Sequence, residues 1–131
     1  MERDTATAHE RRLQAIAARA DRVTRERRQE RERVIAERVR HARQEIDRLV
    51  AQIRSVDPDV RRIVLFGSLA KNSVKRPSFD IDLAVDSDHY TRLIDIADDS
   101  DFKVDLVDLA CCSRYVAVAV EQHGVELYRA Q

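Results

Sequence analysis

Residues 63–85 read IVLFGSLAKNSVKRPSFDIDLAV, two apolar runs joined by a polar loop, and the rest of the chain is best read outward from them. The first run, Ile63-Val64-Leu65-Phe66, is partly β-branched, reads as a buried strand and stops at Gly67-Ser68. Leu69 to Asn72 reads as a short helical turn, and Lys75-Arg76-Pro77-Ser78 as a loop. The second run, Phe79 to Val85, reads as a strand broken by Asp80 and Asp82. The strand period of 2 places both acids on one face, roughly 6 to 7 Å apart. Two carboxylates on one face of a buried strand are costly to desolvate, and a divalent cation is the natural compensation.

Downstream, Tyr90 to Ala97 has the pattern of a short amphipathic helix, and Asp98-Asp99-Ser100-Asp101 that of a polar turn. Phe102 to Leu109 is a third strand, in which Asp105 interrupts the apolar series in mid-strand while Asp108 lies near the end. If this strand neighbours the one carrying Asp80 and Asp82, Asp105 completes a cluster of three carboxylates. Such an all-oxygen set suits Mg²⁺ or Mn²⁺, not zinc. Residues 112–123 read as a helix stopped by Gly124, and Val125 to Tyr128 as a last short strand. Strands interleaved with helices give an α/β or α+β sheet domain.

Upstream, the chain runs to about Val56 without a glycine or proline, in residues that favour helix, until Asp57-Pro58 ends it. Apolar residues recur by threes and fours at Leu13, Ile16, Ala20 and Val23, and again from Ile35 to Val56, as in a coiled-coil seam. The two series are offset by one position across Thr24 to Arg33, which holds no apolar residue. Either the helix is continuous with a solvated waist or it bends there. The expected organisation is a long coiled-coil-like helical region over residues 1–57 and a sheet domain over 58–131. The second seam is expected to pack partly on the sheet, leaving the first half for another chain.

Charge divides along the same line. Residues 1–62 carry 17 Lys and Arg against 12 Asp and Glu, and residues 63–131 carry 7 against 12. Glu26, Glu30 and Glu32 interleave with the arginines of the waist, which argues for an ion-paired solvated face over a phosphate-binding one. No aromatic residue precedes Phe66, so no base-stacking platform supports nucleic-acid binding. Apolar runs fall short of the ~20 residues of a membrane span, and a cytoplasmic protein is expected. Cys111 and Cys112, adjacent to each other, read as small buried residues of a reducing compartment. The scattered histidines have no metal-ligand spacing.

Gly67-Ser68, then eleven residues, then Asp80-Ile81-Asp82 and a later Asp105 resemble the nucleotidyltransferase superfamily of DNA polymerase beta, most closely its minimal members. The resemblance covers about residues 60–131. It implies an α+β fold, with a small mixed β-sheet like the polymerase palm, and catalysis with two Mg²⁺ ions (Mn²⁺ as substitute) and ATP as nucleotide donor. Asp80, Asp82 and Asp105 would be the catalytic and metal-holding residues. Gly67 and Ser68 would approach the triphosphate, with Lys71 either screening it or merely solvated. Minimal relatives resemble antitoxins that move AMP onto a tyrosine of a HEPN-type ribonuclease toxin, so a protein partner of that kind is implied, or homo-oligomerisation through the long helix. Two other functions are a catalytically degenerate nucleotide-binding scaffold built on that helix and nucleotide addition to an RNA end, the latter disfavoured by the acidic second half. The chain departs from the pattern at Asn72, where many relatives have glycine, and at Phe79, where many have serine.

Overall fold

The computed structural model describes residues 7–131, so residues 1–6 of the expected helical region lie outside it. The chain divides into two compact units, Met1–Val34 and Ile35–Gln131.

Helix α1 spans Ala8–Val56. Thr7 caps it in the first unit: its Oγ1 accepts from the Glu10 N–H at 3.0 Å, in a T-x-x-E arrangement that satisfies an otherwise orphaned donor. Every described residue up to Val34 is exposed, including Leu13, Ile16 and Val23 of the first seam. In the waist Arg33 pairs with Glu30 one turn earlier, as expected of a solvated, ion-paired face.

The second unit opens with the rest of α1. Here Ala42, Ile46, Leu49 and Ile53 are buried in the core, so the second seam does pack on the sheet. Two arginines of the same helix lie over aromatic rings, Arg38 at 4.0 Å from the Phe102 centroid and Arg54 at 4.2 Å from that of Tyr128. The helix ends at Val56, and Asp57 turns the chain inward. Its buried carboxylate accepts from the Ser87 hydroxyl and from the Asp59 N–H at 3.0 Å.

Four strands follow: β1 (Arg62–Phe66), β2 (Ile81–Asp86), β3 (Val104–Asp108) and β4 (Val125–Arg129), in the order β3-β2-β1-β4. β1 pairs antiparallel with β2 and β4, while β2 and β3 are parallel, which makes the sheet mixed. Between the strands lie α2 (Gly67–Ala70), α3 (Tyr90–Asp98) and α4 (Arg114–His123). One face of the sheet, with Ile63, Leu65, Ile81, Leu83 and Val85, packs on α1 and α3. The other, with Val64, Phe66 and Ala84, packs on Val116, Ala119 and Val120 of α4.

Several local expectations need correction. The helical turn expected at Leu69 begins at Gly67, and β2 begins at Ile81, leaving Phe79 and Asp80 just ahead of it. α4 starts at Arg114, because Ser113 is its N-cap and accepts from the Val116 N–H at 3.2 Å. Gly124 follows that helix in an extended, not left-handed, conformation. Its lack of a side chain serves packing, since a Cβ there would strike Val64 and the Val120 carbonyl. Cys111 is exposed and Cys112 half-buried, neither fully buried as expected: both fall between β3 and α4, outside the sheet.

Candidate active site

β2 is an inner strand, and its register fixes the site: Asp82 lies opposite Phe66 of β1 on one side and Asp105 of β3 on the other. Both side chains therefore project from the face that carries α4. Asp80, two residues earlier, shares that side and is half-buried. Each of Asp80, Asp82 and Asp105 offers a carboxylate oxygen within 4.8 Å of the others, the sole such potential metal-binding cluster among the described residues. Asp105 differs from the expectation of a buried mid-strand acid: it is exposed, because β3 is an edge strand.

Crowding shows in the electrostatics. Burial, and after it the charges of Asp105 and Asp80, push the Asp82 carboxyl up to about 6 from 3.8, against the opposing pull of Lys103. Lys103 Nζ lies 3.6 Å from Asp80 Oδ2. Its role was readable in principle, since period 2 puts Lys103 on the same face as Asp105. Oxygen-only donors at this spacing, with mutual repulsion to relieve, fit a hard divalent cation.

Gly67 is required by position. Its φ is +78°, and a Cβ there would collide with the Asp82 carboxylate, so the turn after β1 can approach the acids only as glycine. The Ser68 carbonyl accepts from the Ser73 N–H at 2.9 Å, closing the loop. Asn72 has a positive φ, +53°, in the left-handed region that asparagine tolerates better than most residues. It is held there by Arg43 of α1, which donates to Asn72 Oδ1 at 2.9 Å and to the Leu69 carbonyl at 3.3 Å.

Asp82 is the common wall of two clefts. One, of about 420 Å³, is lined by Ser68, Ser73, Lys75, Arg76, Ser78 and Asp80 besides Asp82. The other, of about 490 Å³, has Asp82 and Asp105 beside Phe66, Ile94, Val107 and Val116. The structure thus brings Gly67, Ser68, Asp80, Asp82 and Asp105 together. It does not bring in Lys71, which is exposed and absent from the lining of either cleft. The cations that line the cleft with Ser68 are Lys75 and Arg76, which carry no distinguishing signal within their loop in the sequence.

The chain is similar to several solved structures. A chain of a toxin–antitoxin complex crystallised with AMP-PNP is 30% identical, with a TM-score of 0.53 over 67% of this chain and 73% of its own. A chain of the Shewanella oneidensis complex of tri-AMPylated HEPN toxin with MNT antitoxin is 26% identical, with a TM-score of 0.51 over 67% of this chain and 72% of its own. An MntA–HepT toxin–antitoxin structure is 25% identical, with a TM-score of 0.51 over 67% and 73%. No curated protein matches. No helix among the described residues is long and apolar enough to cross a membrane. Residues 49–131 match the family described as Polymerase beta, Nucleotidyltransferase, and the chain belongs to that family.

Proposed function

We propose that this nucleotidyltransferase moves AMP from ATP onto a tyrosine hydroxyl of a HEPN-type toxin and thereby acts as its antitoxin. The observation that carries the reading is the cluster of Asp80, Asp82 and Asp105 beside a hydroxyl- and cation-lined cleft. The similar solved structures support it, being toxin–antitoxin complexes with AMP-PNP bound in one and an AMPylated HEPN toxin in another.

In this mechanism Gly67 lets the backbone approach the polyphosphate, and Ser68, Lys75 and Arg76 bind and orient it. Asp80, Asp82 and Asp105 would hold two Mg²⁺ ions, which when bound would neutralise the charge that develops on the transferring phosphoryl group. Asp105 orients the acceptor hydroxyl and accepts its proton. Residues 58–131 carry the chemistry in this reading. Helix α1 supplies core residues with its second half and an interface with its first, where Leu13 and Ile16 stay more than half exposed.

Incubating the protein with its toxin partner, Mg²⁺ and ATP labelled at the α-phosphate should label the toxin. The Asp80→Asn, Asp82→Asn double variant should not. Absence of labelled toxin with the wild type under every nucleotide and divalent ion tried would overturn the reading.

A further inference from the structure

The second seam of α1 is buried in the core, while every described residue up to Val34, the first seam included, is exposed. Leu13, Ile16, Ala20 and Val23 are spaced by 3, 4 and 3 residues and form one apolar stripe, the a and d positions of a heptad frame. In the same frame Arg27 and Glu30 take the next two seam positions, so the stripe ends at the charged waist. Its g flank carries Arg12, Arg19 and Glu26. Leaving Leu13 and Ile16 in water forgoes the burial that stabilises an amphipathic helix.

We infer that this stripe pairs with the same stripe of a second copy of the chain, antiparallel and about a twofold axis, with Leu13 opposite Val23 and Ile16 opposite Ala20. Closure about a twofold axis requires a surface complementary to itself, and the stripe has that property in spacing, volume and charge. The 3-4-3 spacing reads the same in both directions, so all four apolar residues find apolar partners. A slip by one heptad would leave only half of them matched. Each layer sets a larger side chain against a smaller one, Leu13 on Val23 and Ile16 on Ala20, whereas a parallel pair would stack Ala20 on Ala20 and leave that layer thin. On the flank, Arg12 and Glu26 meet twice, once on each side of the axis, against a single approach of Arg19 to its own copy. A parallel pair would gain two Glu26–Arg31 contacts, but its seam would continue into Arg27 on Arg27 and Glu30 on Glu30, like charges drawn out of water. Pairing of this kind needs nothing from the acidic cluster, so dimerisation and nucleotide transfer are tested apart.

Sedimentation equilibrium of the full chain, at low ionic strength and with Cys111 and Cys112 kept reduced, should show monomer and dimer in exchange. Arg12→Glu and Glu26→Arg should each raise the dimer dissociation constant about tenfold, because each turns two attractions into two repulsions. Combining them restores opposite charges, and the double variant should return to within about threefold of wild type. Both positions are exposed, so the melting of the unit Ile35–Gln131 should not move. In a parallel pair Arg12 would face Ala17 and Glu26 would face Arg31, so Arg12→Glu would do nothing and the double variant would stay as weak as Glu26→Arg; either result overturns the antiparallel register. A wild type that remains monomeric up to about 1 mM overturns the pairing altogether, including the case in which an unlike protein occupies the stripe. Orientation is read independently with nitroxides in a Cys111→Ser, Cys112→Ser background. A label at Arg11→Cys of one copy should lie close to one at Arg25→Cys of the other, while two labels at Arg11→Cys are displaced by about 21 Å along the helix axes. The opposite order of distances would refute the arrangement.

Discussion

Replacing Asp82 with asparagine should make the metal-free protein more stable while abolishing its chemistry. The carboxyl is raised from 3.8 to about 6 chiefly by burial, then by the neighbouring charge of Asp105. That difference corresponds at face value to about 3 kcal/mol of penalty for ionising Asp82 in the fold. The side chain is only half-buried, and solvent screening reduces this to about 1 kcal/mol. The sign follows from linkage. The folded state holds the proton more tightly than the unfolded chain, so the penalty is absent below the unfolded value of 3.8 and grows as pH rises towards 6. Above that it is complete. Thermal unfolding in a chelator should therefore show Asp82→Asn melting roughly 4–8 °C above wild type near neutral pH, a shift typical of about 1 kcal/mol in a domain of this size. The two should converge towards about pH 4, and adding Mg²⁺ should stabilise the wild type more than the variant. A variant no more stable than wild type at neutral pH, or an advantage independent of pH, would refute the picture of a strained carboxylate cluster.

Gly67→Ala should eliminate nucleotide transfer and lower the melting temperature, because the added methyl meets the Asp82 carboxylate and the backbone φ is unfavourable for it. Arg43→Ala removes the hydrogen bonds that hold Asn72 and the Leu69 carbonyl, a loss of about 1 kcal/mol that should raise KM for ATP roughly fivefold with kcat little changed. Asn72→Gly in the same background should restore most of that KM, since glycine takes the left-handed conformation unaided; no recovery would mean that Arg43 acts elsewhere. Leu49→Ala, at a fully buried position of α1, should cost about 2–5 kcal/mol in denaturant unfolding. Leu13→Ala should leave the unfolding of the unit Ile35–Gln131 unchanged, as Leu13 is 51% exposed.

The approximate places of the strands and helices, and the three acids, are legible in the amino-acid order alone. Each of these is written in local periodicity: Asp80 and Asp82 two apart in an apolar strand, Asp105 alone in another, and a helix that runs unbroken by glycine or proline to Asp57-Pro58. The second seam of α1 was legible for the same reason, its threes and fours predicting the face that buries Ile46 and Leu49. Other features depend on which elements become neighbours in the fold. Strand order made β3 an edge, so Asp105 is exposed, although its local pattern is that of a buried acid. Loop closure put Lys75 and Arg76, not Lys71, in the cleft that Ser68 lines, and no periodicity governs a loop. Arg43 stabilises Asn72 from 29 residues away, and the hydroxyl of Ser87 meets the buried Asp57 from 30. Hydrogen bonds between residues so far apart leave no local repeat in the chain, because only packing of the helix against the sheet brings their ends together.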